Sequence, residues 1–407
     1  MEFLKKVARY FGSIRDWWWR PRRPQRQRQH SSCHILQLPP ELILNICDFL
    51  PPVSRVLVSQ TCYPLREILG DSASTAHLSY EQYLKFLTTL AHNWCDLWVC
   101  EVCPALHTVS EHDTPSAWNQ SMSDISRWYH FQDTAYGSRH RFDFRQLFID
   151  HRHVQLALKY TRMRHPDYQG YLEKLLRPYH NANLDIRFTC VDPPSVVQVD
   201  YKVQPRIATA ADGTPRFLTM SRWRYVRSDQ ERMLTSEAMG HLFICPHQSR
   251  STITEGHKDY ELSSAVETSF VHNTEEICGA CPFCRTDFSI RVSADLESAE
   301  LHVWQDLGPE GSPMDEEWNS QVRRHSYRTL RSCGVYCRTK LATVYHEPGS
   351  IRSLFNYNDE GGERERTSHS NIGAYQANYQ GHSSPPLPDP YRCSCETVRA
   401  TEAYEET

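Results

Sequence analysis

Residues 36–69 read LQLPPELILNICDFLPPVSRVLVSQTCYPLREIL, and this stretch decides the fold of the N-terminal region. Pro39 and Pro40 suit the start of a helix, where a missing backbone N–H has no partner to lose. Glu41 then complements the helix dipole in the first turn. Apolar residues follow at helical spacing and predict one apolar face, made of Leu42, Ile46, Phe49 and Leu50.

Prolines divide this stretch into three short helices. Pro51 and Pro52 separate the first helix from the second. Pro64 is expected to force Tyr63 out of helical geometry, so the third helix should begin there and end at Gly70. A segment of about 35 residues buries too little surface to be stable alone. We therefore expect it to pack against a partner or against the rest of the chain.

The pattern resembles the F-box, through the Leu-Pro-x-Glu-Leu opening, the proline pair and the later apolar spacing, which includes Cys62. Pro64 departs from the aromatic or polar residue that the family often has there. F-boxes dock on the linker subunit of cullin-type (SCF) ubiquitin ligases. The resemblance implies a partner-binding set of Leu38, Pro39, Glu41, Leu42, Ile46, Leu50, Val56, Leu57 and Leu65. The alternative is an ordinary helical hairpin inside a larger core.

Composition limits the class of protein. The chain has 407 residues and a net charge of −4, which argues against general nucleic-acid binding. No run of about 18 apolar residues predicts a transmembrane helix, and no secretory signal is recognisable. An intracellular location, cytoplasmic or nuclear, is therefore expected. Without export, the 15 cysteines are better suited to metal binding than to disulfides.

The predicted fold is α+β: a short three-helix F-box followed by a mixed helical and antiparallel-sheet domain with zinc-knuckle-like cysteine pairs. The predicted division is a basic flexible arm (1–35), the F-box (36–70), a connecting helix with the first cysteine pair (71–113), a polar loop (114–145), the α+β domain (146–310), an irregular extension (311–356) and a disordered tail (357–407). The arm carries nine Lys or Arg between Lys5 and Arg28, against Asp16 alone.

Alternating residues predict the sheet. Residues 184–191, 197–204 and 217–226 alternate apolar and polar side chains, with turns at 192–195 and at Asp212-Gly213. We expect an antiparallel meander with Phe188, Val199, Tyr201 and Val203 facing inward. Residues 288–292 and 301–303 predict a further hairpin. Helices are predicted at 146–164 and 168–176, and after a capping box formed by Ser79 and Gln82.

Cysteine spacing predicts a zinc site. Two residues between thiolates let a tight turn direct both sulfurs at one ion. The six candidate ligands are Cys100, Cys103, Cys245, His247, Cys281 and Cys284. Either the two Cys-x-x-Cys pairs form one four-cysteine site, or Cys245, His247, Cys281 and Cys284 form a local one. Zinc would be structural, because a full set of protein ligands leaves no position for a reactive water. Buried thiols without a metal are the alternative.

A second resemblance extends over about 210 residues. Cys-x-x-Cys-x-x-Leu-His at 100–107, Cys-Pro-His at 245–247, Cys-x-x-Cys before Thr-Asp-Phe at 281–288 and Trp-x-Asp-Leu-Gly at 304–308 are similar to the region that follows the F-box in a large group of fungal F-box proteins. This resemblance implies no defined substrate or activity.

The favoured function is a non-catalytic adaptor that binds the SCF linker subunit through the F-box and recruits an unknown protein target. The first alternative is a zinc-stabilised protein that acts without the ligase and binds protein or nucleic acid. Nucleic acid would be bound by the basic arm and by Arg222, Arg224 and Arg227 near Trp223 and Tyr225. Acidic net charge and absent binding motifs weigh against nucleic acid. RING ligand spacing and the motifs of hydrolases, zinc proteases and phosphate-binding loops are also missing, so we do not expect an enzyme.

Overall fold

The structure, a computed structural model, describes residues 33–101, 104–117, 147–188, 195–227, 233–240, 242–250, 261–321 and 342–357. The predictions for the basic arm, for most of the polar loop and for the tail concern residues outside these ranges. The chain divides into two compact units, residues 1–86 and 87–407. Within the described ranges, no helix has the length and apolar character needed to cross a membrane.

The described part of the first unit contains three consecutive helices: α1 (Pro40–Asp48), α2 (Pro52–Thr61) and α3 (Tyr63–Leu69). The break before α3 is one residue earlier than predicted. Cys62 is extended, with φ −156° and ψ 160°, whereas Tyr63 already belongs to the helix. Pro64 fits the first turn of α3 because the N–H groups there have no helical partner. Gly70 follows α3 with a φ of +54°, which confirms the predicted C-cap.

The buried face of α1 is turned by one residue from the predicted apolar face. Ile43 and Cys47 are 1% and 2% exposed. They belong to one apolar cluster with Leu65, Leu69 and Ala73. The stretch thus has a small interior of its own, contrary to the expectation that it would depend wholly on a partner or on the rest of the chain.

A fourth helix and two small strand pairs follow. Helix α4 (Tyr80–Ala91) contains the boundary between the two units. Its predicted capping box is confirmed, since the Gln82 N–H donates to Ser79 Oγ at 3.2 Å and the Ser79 N–H donates to Gln82 Oε1 at 2.9 Å. The strand pairs are antiparallel: β1 (Leu97–Cys100) with β2 (Ala105–Thr108), and β3 (Ser116–Ala117) with β4 (Leu147–Phe148).

Helices α5 (His151–Met163) and α6 (Gln169–Leu175) precede the sheet. The first begins later than the predicted residue 146, because Asp150 and His153 form a capping box at its N-terminus. Leu147 and Phe148 lie in β4 instead. Helix α6 ends before Pro178, as predicted.

The second unit is built on one six-stranded sheet in the order β10-β11-β12-β7-β6-β5, with every neighbouring pair antiparallel. Its strands are β5 (Tyr179–Phe188), β6 (Ser195–Thr209), β7 (Pro215–Arg227), β10 (Glu276–Ala280), β11 (Thr286–Val292) and β12 (Ser298–Pro309). A separate hairpin joins β8 (Leu242–Cys245) and β9 (Gln248–Arg250). The predicted α+β class and antiparallel meander are therefore confirmed.

The predicted inward face is confirmed for β6. Val199, Tyr201 and Val203 are at most 3% exposed, whereas Gln198 is exposed. The Asp212-Gly213 turn is also confirmed, with a φ of +82° at the glycine. The side chain of Phe188 and most of the turn at 192–195 lie outside the described part of the chain.

Three helices differ from the predictions. Helix α7 (Glu261–Val271) lies in a part of the α+β domain where no helix was predicted, and its apolar side chains join those of the inner sheet face in one core cluster. Helices α8 (Glu316–Gln321) and α9 (Ser350–Asn356) lie in the predicted irregular extension. Trp318 of α8 packs in the cluster of α5 and α6. Ile351 and Phe355 of α9 pack with Ala208, Leu218 and Trp304, whose side chains alternate with those of the inner face.

Candidate functional site

One group of side chains in the described residues brings potential metal ligands together: Cys245, His247, Cys281 and Cys284. Their ligand atoms all lie within 4.8 Å of one another. Two sulfurs that each bind one tetrahedral zinc at about 2.3 Å are themselves about 3.8 Å apart. The group can therefore hold one metal ion with little rearrangement.

Two hairpins position these side chains. Cys245 ends β8, and His247 lies in the turn that leads back into β9. The other two cysteines lie in the turn between β10 and β11. This turn is closed by the Cys281 N–H, which donates to the Thr286 carbonyl at 2.8 Å. The Phe283 N–H donates to Cys281 Sγ at 3.4 Å, an arrangement that stabilises negative charge on this sulfur.

The surroundings shift the pKa values of the three thiols in different directions. Burial raises the pKa of the Cys245 and Cys284 thiols. Hydrogen bonds, first from Cys245, lower the pKa of Cys281. Both ring nitrogens of His247 are buried and make no hydrogen bond of good geometry within the described residues, although the ring lies close enough to Cys281 to help lower the pKa of that thiol. A divalent ion would stabilise the thiolates and give the imidazole a partner, so the donor set fits such an ion.

The remaining candidate ligands are not in this group. Cys100 ends β1 and is buried, whereas Cys103 lies outside the described residues. The neighbouring Val99 N–H donates to Gln155 Oε1 of α5 at 3.1 Å, so this part of the hairpin is held against α5. The geometry therefore favours the local arrangement over the four-cysteine site, and Cys100 as a ligand stays a prediction because its partner Cys103 lies outside the described residues.

A second candidate site is an exposed helical face, made of Leu38, Leu42, Ile46 and Phe49 in and beside α1. These side chains are 37%, 48%, 45% and 90% exposed. Leu42 and Ile46 lie one turn apart and form a continuous strip. Pro39 fixes the start of α1, and Glu41 is exposed in its first turn. A clustered apolar surface of this kind marks an interaction site.

The other predicted partner-binding residues are less accessible. Val56 and Leu65 are buried, at 2% and 5% exposed, and their direct contact with a partner stays a prediction. Leu50 and Leu57 are partly buried. The accessible part of the predicted set is therefore concentrated at α1.

Residues 35–75 match the family model of the F-box domain. The chain contains an F-box. This domain suggests a general role as a substrate adaptor for a ubiquitin ligase, and F-box proteins are typically non-catalytic. Comparison with curated proteins and with solved structures gave no match.

Outside the F-box, the arginines considered for nucleic-acid binding have acidic partners. Arg222 lies 3.5 Å from Asp200, and Arg224 lies 3.5 Å from Glu300. Arg227 forms an ion pair with Glu297. The nearby Trp223 and Tyr225 belong to the inner core of the sheet and offer no exposed ring for base stacking. The geometry thus gives no support to a nucleic-acid interface on this strand.

Sequence reasoning missed Thr286 beside the cysteine–histidine group. Its side chain is fully buried, and its Oγ1 lies 3.3 Å from Cys284 Sγ. A hydroxyl two positions after the second cysteine was the available signal, because it can bond the sulfur of a metal-bound thiolate.

Proposed function

We propose that this protein is a non-catalytic F-box adaptor, the substrate-receptor subunit of an SCF-type ubiquitin ligase. The observation that carries the proposal is the division of α1 into two apolar rows. Ile43 and Cys47 complete the interior of the unit, whereas Leu42 and Ile46 remain about half exposed. Because the fold of the unit does not need the second row, its apolar character is explained by a partner, the ligase linker subunit.

The second unit supplies the target-binding part in this proposal. Residues 146–310 contain the sheet, the helices on its inner face and the cysteine–histidine group. Ubiquitin transfer is then performed by the ligase, and the adaptor contributes binding and orientation of an unknown protein target. No catalytic group of this chain is required for that role.

We further propose that Cys245, His247, Cys281 and Cys284 bind one structural zinc ion. Thiolate and imidazole ligands favour zinc. The ion would tie the β8–β9 hairpin to the turn between β10 and β11, in addition to the apolar contacts that Leu242 and Ile244 make in the core. With four protein ligands, the ion has no open position for water activation.

Co-purification tests the adaptor role. The wild-type chain and a Leu42→Asp, Ile46→Asp variant are each tagged and captured with purified linker subunit and cullin. We expect the wild type alone to retain the ligase subunits. In a parallel capture from cell extract, proteins retained equally by both forms are candidate targets. Equal retention of the linker by the two forms would contradict the proposal.

A further inference from the structure

A pair of glutamine side chains connects the two hairpins that supply the cysteine–histidine group. We infer that Gln305 and Gln321 are positioning residues for the metal ion, an inference that rests on the metal site proposed above. Neither residue contributes a ligand atom to that group. They act through hydrogen bonds to the segments that carry the ligands.

The first half of the connection reaches the β8 ligand. Gln305 Nε2 donates to the Ile244 carbonyl at 3.0 Å. Ile244 directly precedes Cys245, so this bond fixes the backbone from which the cysteine projects. The same amide nitrogen donates to Gln321 Oε1 at 3.2 Å.

The second half reaches the turn between β10 and β11. Gln321 Oε1 also accepts a hydrogen bond from Thr286 Oγ1 at 3.2 Å, and that hydroxyl lies 3.3 Å from Cys284 Sγ. Gln321 Nε2 donates to the Arg285 carbonyl at 2.9 Å. One side chain thus holds both the backbone after Cys284 and the hydroxyl beside its sulfur.

These contacts restrict the side-chain position because the glutamine is buried and the polar atoms of its amide are hydrogen-bonded. Gln321 is 4% exposed, and its amide group uses both its oxygen and its nitrogen. A buried amide with satisfied partners has few alternative positions, because each move leaves a polar group without a partner. Contacts of this kind around a metal site orient the ligands, and their loss typically lowers metal affinity by about 10- to 100-fold.

The test uses the full chain with Gln305→Leu, Gln321→Leu and the double variant. Gln155→Leu is the matched control, since Gln155 is 2% exposed but bonds the Val99 N–H at 3.1 Å, in the hairpin held against α5. Zinc transfer to a chromogenic chelator gives the affinity, and the absorption spectrum of the cobalt(II) form reports ligand geometry. Circular dichroism checks that each variant is folded.

We expect each single variant to lose about 10- to 100-fold in zinc affinity. The double variant should lose less than the product of the two single losses, because both act through one connection. The cobalt(II) spectrum should differ from that of the wild type in Gln305→Leu and Gln321→Leu, and should be unchanged in Gln155→Leu. If Gln321→Leu does not fold, the comparison of Gln305→Leu with Gln155→Leu tests the positioning role. Gln305 is only partly buried, so its replacement should leave the chain folded.

Two results would overturn the inference, and they have different consequences for the metal site. Wild-type chain that binds no stoichiometric zinc would remove the metal site and the positioning role together. Zinc bound by the wild type, with unchanged affinity in Gln305→Leu and Gln321→Leu or an equal loss in Gln155→Leu, would reject the positioning role and leave the metal site in place.

Discussion

Asp287 in β11 accepts a hydrogen bond from the backbone N–H of Ile351 at 2.8 Å, in the first turn of α9. The same carboxylate accepts bonds from the N–H groups of Gly349 and Arg352 at 3.0 Å and from His346 Nε2 at 2.9 Å. It is 2% exposed. A strand residue thus caps a helix more than 60 positions later in the chain, and holds that helix on the sheet.

Replacement of Asp287 by Ala should therefore release α9. The change leaves buried donors without an acceptor, and hydrogen bonds to a charged group are worth about 1.5–3 kcal/mol each in the most favourable cases. We expect a loss of about 3 kcal/mol in the free energy of unfolding, measured by urea denaturation. Hydrogen exchange should become faster in residues 342–357.

A Glu300→Ala variant is the control for Asp287→Ala. Glu300 forms a partly exposed ion pair with Arg224 on the same sheet, and such pairs contribute about 1 kcal/mol or less. Unchanged exchange in α9 after Asp287→Ala would show that the carboxylate does not hold the helix.

Removal of a cysteine ligand should unfold the metal-binding hairpins. Metal analysis of a folded sample prepared without chelator should find about one zinc per chain. Cys281→Ser should lose that zinc and the protection of residues 242–250 and 276–292 against hydrogen exchange, because metal-binding free energy is folding free energy at such a site.

Cys278→Ser is the matched control for the zinc prediction. Cys278 is exposed in β10, three positions before Cys281, and is not a member of the cysteine–histidine group. It should retain zinc. Loss of zinc from both variants, or less than one zinc in the wild type, would contradict the proposed ligand set.

Lys159 makes stability depend on pH. Its ammonium group is fully buried in α5 and donates to the carbonyls of Ala91, Trp94 and Leu97 at 2.8, 3.2 and 2.7 Å. Burial lowers the pKa of Lys159 to about 8. The unfolded chain, with a pKa of about 10.4, binds more protons above pH 8, so the contribution of this residue to stability rises from there to about pH 10.4.

A Lys159→Met variant isolates this effect. The free energy of unfolding of the wild type minus that of the variant should increase by about 1–2 kcal/mol between pH 7.5 and 9.5. Urea denaturation at both pH values measures the difference. A difference that stays constant or falls would show that the three carbonyl contacts keep the lysine pKa at or above its ordinary value.

The sequence allowed the sheet to be predicted because β6 has an unambiguous period of two. Val197, Val199, Tyr201 and Val203 alternate with polar residues, and only one assignment of faces buries them. For α1 the sequence predicted an apolar face with Leu42 and Ile46, and the buried pair Ile43 and Cys47 was not identified. Leu42 with Ile46 and Ile43 with Cys47 are both apolar pairs at a spacing of four, so periodicity alone could not say which pair is buried.

Long-range partners explain the other differences. Helix α7 is rich in serine and threonine, which have weak helix propensity, and it forms because Leu262 and Val266 are buried in the main core. Cys245 and His247 lie near Cys281 and Cys284 because two hairpins approach each other in the fold. Local spacing carries no information on that approach.

The last prediction concerns Leu42 and Ile46 of the F-box. A Leu42→Asp, Ile46→Asp variant places two carboxylates in the proposed interface with the linker subunit. Each aliphatic side chain is about half exposed, so burial of that exposed half against the linker contributes about 1 kcal/mol to binding. Burial of an unpaired carboxylate in its place costs several kcal/mol more. A loss of 4 kcal/mol weakens binding roughly a thousandfold, as measured by calorimetry with purified linker subunit.

Two control variants separate lost docking from lost folding. Leu44→Asp introduces one carboxylate at a side chain that is 39% exposed on another side of α1, so this variant should bind the linker much more tightly than the double variant. Ile43→Asp charges the buried row and should lower the melting temperature of the first unit. Because the interior of the unit is made by Ile43 and Cys47, the double variant should keep its helical circular dichroism and melting temperature. Near wild-type affinity in the folded double variant would show that this face does not bind the linker. Unfolding of the double variant would mean that Leu42 and Ile46 are needed for the hydrophobic core.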